Sequence, residues 1–273
     1  MTSLPYVHGY SPRESVRLGD QAQTLADLLH GDERYPAGAH VLEVGCGTGA
    51  QTVILARNNP AARFVSVDIS PASLEQAKAR VEAAGYENVD FLAADVYDLP
   101  FAEASFDHVF ICFVLEHLPR PTEALRCLRR VLRPGGSITV IEGDNGSWYC
   151  YPETPAARRT VECQNEIAIR LGGDCLIGRR VYPLLVEAGF RDVHVSPRMV
   201  YVDDSRPDLI EGFSKNTFIA MVEGVREQAL ELGLMDEASW DKGIADMYKA
   251  TGPGGTFCYT FFKGIALNQG TLS

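Results

Sequence analysis

Three glycines at alternate positions, Gly45, Gly47 and Gly49, follow the run Val41-Leu42-Glu43-Val44. Glycine lets the main chain turn sharply and lets a ligand touch the backbone directly, because no Cβ stands between them. Asp68 lies 23 residues after Gly45. That is close to the ~20-residue spacing at which a carboxylate accepts from both ribose hydroxyls of a nucleotide-type cofactor. The chemistry this pattern can support is therefore cofactor binding. Gly45, Gly47 and Ala50 also satisfy the looser dinucleotide fingerprint, so the glycines alone leave the cofactor open.

The elements that must position these residues alternate between strand and helix. Val41, Leu42 and Val44 read as a buried parallel strand, and residues 51–57 as the helix after the turn. The next strand is read at 63–68, followed by Ser70-Pro71, an N-cap with proline at the first helical position. Leu74, Ala77 and Val81 recur at helical spacing, and Gly85 stops that helix. Further strands are read at 89–94, 106–112 and 137–142, the last after the turn Arg133-Pro134-Gly135-Gly136. A helix over 121–131 carries Leu125, Leu128 and Val131 on one side. The alternation predicts a doubly wound α/β sheet with parallel strands and helices on both faces.

These motifs, in this order, resemble those of class I S-adenosylmethionine-dependent methyltransferases. The resemblance rests on residues 43–49, Asp68, Asp95, Leu115-Glu116-His117-Leu118 and Leu132 to Gly136. It is tight over about residues 38–145 and looser beyond, through Gly178-Arg179-Arg180, Glu187 to Phe190 and a last strand at 257–266. Within the family the chain is similar to the small-molecule branch that includes quinone and natural-product methyltransferases. The resemblance implies a seven-stranded, mostly parallel Rossmann-like sheet with an antiparallel last strand. It also implies that S-adenosylmethionine is the cofactor. Glu43, Gly45, Cys46, Gly47 and Gly49 would form the cradle, the glycines leaving room for the methionine moiety. Asp68 would accept from the ribose hydroxyls and Ile69 would flank the adenine. Asp95 would accept from the adenine amino group, with Val96 alongside. Cys112 and Phe113 would lie near the sulfonium.

Two segments outside the core read as a substrate cap, giving an expected division into an arm at 1–37, a core at 38–203 and 256–273, and a helical insertion at 204–255. In the arm, Ser11 and Glu14 are spaced as a capping box around Pro12. In related methyltransferases such a helix closes over the cofactor, which makes Tyr10 and Arg17 candidates to reach its carboxylate. The insertion carries an apolar stripe from Phe218 to Leu230 and is long for a connection. Either segment could also carry a contact between copies of the chain. Residues 142–151 read as an acceptor loop past the fifth strand. Trp148 and Tyr149 stand as substrate contacts there, with Tyr201, Phe257, Tyr259 and His8 as further lining. Aromatic walls with a few polar groups suit a flat or largely apolar small molecule. A base is needed only if the acceptor must lose a proton, and the candidates are Glu142, Asp144 and His117. Methylation at oxygen, nitrogen or carbon stays open at this point.

A nicotinamide-dependent oxidoreductase is the competing enzyme class. Tyr259 and Lys263 have the spacing used in hydride chemistry on a helix, but the surrounding residues read as a strand, where four residues span ~13 Å. A cofactor-binding homologue without catalysis is the third reading. A P-loop enzyme is excluded, since no Gly-x-x-x-x-Gly-Lys occurs. Composition narrows the field further. Twenty-five basic against 36 acidic residues give a net charge of −11, poor electrostatics for a nucleic-acid binder. No run approaches ~20 apolar residues, so no membrane span is expected. The seven cysteines form no Cys-x-x-Cys pair and the histidines no His-x-x-x-His, so a reducing cytoplasm and no dedicated metal site are expected.

Overall fold

The computed structural model describes residues 12–270, with side chains from Arg17 onward. The helices α1 (Pro12–Thr24) and α2 (Ala26–His30) come first. Then follow β1 (His40–Val44), α3 (Ala50–Asn58), β2 (Arg63–Asp68), α4 (Pro71–Ala83), β3 (Val89–Ala93) and β4 (Phe106–Cys112). A 3₁₀ turn at Leu115–His117 leads to α5 (Pro121–Val131), β5 (Leu132–Tyr151), α6 (Pro155–Arg170), α7 (Val181–Glu187) and β6 (Arg191–Val202). The helices α8 (Pro207–Leu209), α9 (Ala220–Glu223), α10 (Arg226–Glu231) and α11 (Glu237–Lys249) precede β7 (Thr256–Leu267). Ile210–Ile219, between α8 and α9, is a π-helix.

The seven strands form one sheet in the order β3-β2-β1-β4-β5-β7-β6. β1 to β5 pair in parallel, Glu43 beside Ser66 and Val44 beside Ile111, and the last strands are antiparallel. This is the doubly wound arrangement expected from the alternation. The first two crossover helices start as their sequences dictate. Gly49 caps α3 in the left-handed conformation (φ 79°), and the Ser70 hydroxyl accepts from the Ser73 amide at 3.2 Å ahead of Pro71.

By its internal contacts the chain forms two units, and β5, β6 and β7 each contribute residues to both. The first comprises 26–142, 177–197 and 262–273. Its core includes Leu42, Val109, Ile111 and Val140, with Leu125, Leu128 and Val131 of α5 fully buried. Each such aliphatic side chain stabilises the fold by roughly 1.5–3 kcal/mol relative to leaving it in water. The second unit comprises 1–25, 143–176 and 198–261. Here α6 packs on α11 and α1 on the π-helix. A Cβ on Gly243 would stand 1.9 Å from the Thr160 hydroxyl, so α6 and α11 approach closely through that glycine. Around the π-helix, Trp148 stacks on Phe218 with ring centroids 5.8 Å apart, and Phe213 meets Phe257, Tyr259 and Phe261 edge-on.

The structure corrects two expectations. Residues 142–151 are strand, not loop. A Cβ on Gly143 would stand 2.5 Å from the Tyr259 hydroxyl, so that glycine admits an aromatic neighbour from β7. The turn Arg133 to Gly136 is also inside β5. It is extruded from the ladder, since Phe106 pairs with Leu132 while His108 already pairs with Ser137.

Candidate functional site

The glycine turn leaves the carboxyl end of β1 with three glycines at positive φ, each for a different reason. A Cβ on Gly45 would meet Val114 Cγ2 at 2.3 Å, and one on Gly49 would meet Ala77 Cα at 2.8 Å. Nothing lies within 4 Å of the corresponding position on Gly47. Gly45 and Gly49 thus permit close packing of the turn, whereas Gly47 faces open space. Cys46 is buried between them against Leu74 and Ala77. Burial and the charges of Glu43 and Asp68 push its thiol well up, so it is not a nucleophile.

Asp68 closes the turn from β2. Its Oδ2 accepts from the Gly47 amide at 2.8 Å and its Oδ1 from the Ser70 amide at 2.9 Å. An ionised carboxylate offers about four acceptor positions, so two remain for a ligand. Ile69, next in the chain, is 55% exposed. At the end of β3, Asp95 Oδ1 accepts from the Tyr97 amide at 2.9 Å, and the Asp98 amide bonds back to the Asp95 carbonyl at 3.0 Å. Val96 beside it is buried in the core.

Glu43 is buried beneath the turn, where its Oε2 accepts from the Thr52 hydroxyl at 2.8 Å and the Ser66 hydroxyl at 2.6 Å. Burial pushes this carboxyl up to about 7, against the pull of the two hydroxyls. At the end of β4, Cys112 is buried and its thiol is pushed well up by burial and then by the Glu142 charge. Phe113 follows at φ 58°, a left-handed conformation uncommon for a large side chain. Glu142 at this end of β5 is fully buried. Its Oε1 accepts from the amides of Val114 at 3.0 Å and Leu115 at 2.7 Å.

The first unit therefore brings together Glu43, Gly45, Cys46, Gly47, Gly49, Asp68, Ile69, Asp95, Val96, Cys112, Phe113 and Glu142. His117 also lies there, half-buried, its Nε2 3.5 Å from Glu116 Oε1. The remaining described candidates belong to the second unit. Arg17 is buried and donates to Gln21 Oε1 at 3.0 Å. Asp144 is buried and accepts from the Gly146 amide at 2.9 Å. Trp148, Phe257 and Tyr259 are buried in the aromatic cluster, whereas Tyr149 and Tyr201 are exposed. Tyr10 and His8 lie outside the described residues. Sequence reasoning missed the hydroxyl partners of Glu43 and the amide pair held by Glu142.

Tyr259 and Lys263 are engaged separately. The Tyr259 hydroxyl donates to Asn145 Oδ1 at 2.9 Å, while the Lys263 ammonium lies 2.7 Å from Asp32 and 2.6 Å from Glu33. Among the described residues no group of three or more His, Cys, Asp or Glu could hold a metal ion, and no helix is long and apolar enough to cross a membrane.

An open α/β sheet with a glycine turn and a carboxylate at the ends of adjacent strands defines a nucleotide-type cofactor protein. Comparison narrows this. Residues 42–140 match the model of the methyltransferase domain family. The chain is 30% identical over 226 residues to the 27-O-demethylrifamycin SV methyltransferase of Amycolatopsis mediterranei (strain S699), covering 82% of this chain and 77% of that one. It is 38% identical over 123 residues to the demethylmenaquinone methyltransferase of Clavibacter sepedonicus, covering 45% and 46%. The chain spans about half the length of several other curated relatives it matches. The chain belongs to the class I S-adenosylmethionine-dependent methyltransferases. The relatives named here lend the nicotinamide reading no support. Among solved structures, the (4+2)-cyclase SpnF superposes with a TM-score of 0.53 at 19% identity, covering 91% of this chain and 80% of that one. That likeness concerns the fold alone, on which different chemistries are carried.

Proposed function

We propose that this chain binds S-adenosylmethionine at the glycine turn and transfers its methyl group to a small, largely apolar organic acceptor. The observation that carries the cofactor assignment is Asp68. Its carboxylate is oriented by the Gly47 and Ser70 amides and keeps acceptor capacity beside the one glycine of the turn that faces open space. The residues fit the cofactor in a second way. The Thr48 hydroxyl in the same turn is buried with no partner among the described residues, as suits a turn that takes a polar ligand. Asp95 and Ile69 are proposed for the adenine, and Phe113 for the wall near the reacting methyl.

The bound cofactor supplies an electrophilic methyl group for in-line displacement. The chain's own contribution is to bind, orient and exclude water, which is where such a reaction gains most. The acceptor class rests on the relatives, which are named for quinone and rifamycin substrates. It is also supported by the aromatic side chains of the second unit, which we propose set acceptor specificity.

Titration with S-adenosylhomocysteine and NADH tests the cofactor assignment. Tight binding of the first and not the second is expected; the opposite result overturns it. Asp68→Ala removes charge-assisted bonds worth roughly 1.5–3 kcal/mol each. It should weaken S-adenosylhomocysteine at least about tenfold while the protein stays folded; an unchanged dissociation constant would leave Asp68 only its structural bonds. Incubation with S-adenosylmethionine and a panel of quinone precursors, phenols, indoles and amines, read for a methyl-sized mass gain, tests the acceptor class.

A further inference from the structure

Three successive amides after β4 are held by two successive residues of β5. The Phe113 amide donates to the Ile141 carbonyl at 2.9 Å, and the amides of Val114 and Leu115 both donate to Glu142 Oε1. The segment needs such bracing, because Phe113 sits at φ 58° and would relax if its neighbours were released. It also shapes the glycine turn. Val114 Cγ2 stands where a Cβ on Gly45 would be, 2.3 Å away, so a shift of Val114 alters the wall against which the turn is packed. Glu142 thus reaches the cofactor cradle through one side chain and two backbone bonds.

We propose that Glu142 is a positioning residue for the cofactor cradle, fixing the segment Phe113 to Leu115 against Gly45, and is not the base that deprotonates the acceptor. The inference rests on the cofactor reading above. Two further observations agree with it. Burial and the neighbouring Glu116 charge hold the Glu142 carboxyl well above the usual carboxylate range. Its Oε1 is already engaged by the two amides, which a carboxyl oxygen accepts in either protonation state. Its Oε2 is buried with no partner among the described residues.

The test compares Glu142→Ala with Glu142→Gln in the intact chain, using S-adenosylhomocysteine titration, amide hydrogen exchange and the pH profile of turnover. Glutamine keeps an oxygen able to accept both amides; alanine does not. Glu142→Ala should speed exchange at Val114 and Leu115 and weaken S-adenosylhomocysteine by about tenfold, the loss of two buried hydrogen bonds. Glu142→Gln should recover most of both losses and retain the wild-type pH profile. A base would behave otherwise: Glu142→Gln would lose turnover by roughly 10²-fold or more with cofactor affinity intact, and that result overturns the proposal. So does an alanine variant that leaves exchange and affinity as they were. If Glu142→Ala does not fold, Glu142→Asp, one methylene short of both amides, serves in its place with the same expectations. Wild-type protein that fails to bind S-adenosylhomocysteine would instead refute the cofactor reading itself.

Discussion

The two units use their buried side chains differently. In the unit that holds the glycine turn, the buried carboxylates of Glu43 and Glu142 are fixed by hydroxyls and amides, and half-buried Asp68 by two amides. In the other unit the buried carboxylates are Asp144, which accepts from the Gly146 amide, and Asp246, held by Thr154, Lys242 and Lys249, and much of the buried volume is aromatic. There Trp148 Nε1, the Gln164 amide and Ser214 Oγ are buried without partners among the described residues. Hydrogen bonds are directional and set positions to fractions of an ångström, whereas apolar burial is non-directional. Under the function proposed above, the cofactor is held by the first kind of construction, and the second leaves room for sequence and shape to vary with the acceptor.

Three substitutions sharpen or break this contrast. The largest effect is expected at Trp148, buried and stacked on Phe218. Trp148→Ala should cost about 3–5 kcal/mol of stability, as large-to-small core substitutions do, with little change in S-adenosylhomocysteine affinity below the melting temperature. Chemical denaturation paired with titration separates the two, and an affinity loss as deep as that of Asp68→Ala would erase the distinction between units.

Glu43 gives the next largest effect, and it depends on pH. Its folded pKa of about 7 stands above the ordinary carboxyl value of 4.5, so between these values the folded chain keeps a proton that the unfolded chain has lost. Stability therefore falls as pH rises from about 4.5 to 7 and levels off above, by an amount on the order of 3 kcal/mol. Glu43→Gln should remove that decline and be more stable than wild type at pH 8. Denaturant midpoints across this range decide it: a slope that persists in the variant would come from another group.

The smallest of the three concerns Gly49. A Cβ there would sit 2.8 Å from Ala77 Cα at a φ of 79°. Strain of this kind costs roughly 1–3 kcal/mol. Gly49→Ala should weaken cofactor binding ten- to hundredfold through the turn it distorts, which calorimetry would measure; unaltered binding would show that the turn tolerates an ordinary residue.

The same contrast explains what could be read from the sequence. The glycine turn, Asp68 and the Ser70-Pro71 cap announce themselves because each demands a special residue at a fixed spacing. The strands at 63–68 and 106–112 and the helix at 121–131 were legible because period and punctuation agreed. Residues 142–151 misled because Gly143 and Gly146 look like turn formers. The reason for Gly143, an aromatic neighbour from β7, lies more than a hundred residues away in sequence. The close approach of α6 and α11 depends likewise on the fit of Gly243 to Thr160, a tertiary match with no local signal. The positioning role proposed for Glu142 was hidden for the same reason. A carboxylate past a strand end reads as a base until its two amide partners are seen.

The sheet order also bears on how the chain is made. Among the described residues the only neighbour of β6 is β7, which lies between β6 and β5 although it follows both in the chain. A ribosome therefore releases β6 with no strand to join, then α8 to α11, before β7 arrives. At roughly 5–20 residues per second that interval is several seconds. Throughout it one edge of β5 and both edges of β6 stand open, the condition in which strands pair with the wrong chain. The nascent protein depends on that wait ending correctly, and slow translation through the cap segment would lengthen its exposure to chaperones and aggregation alike.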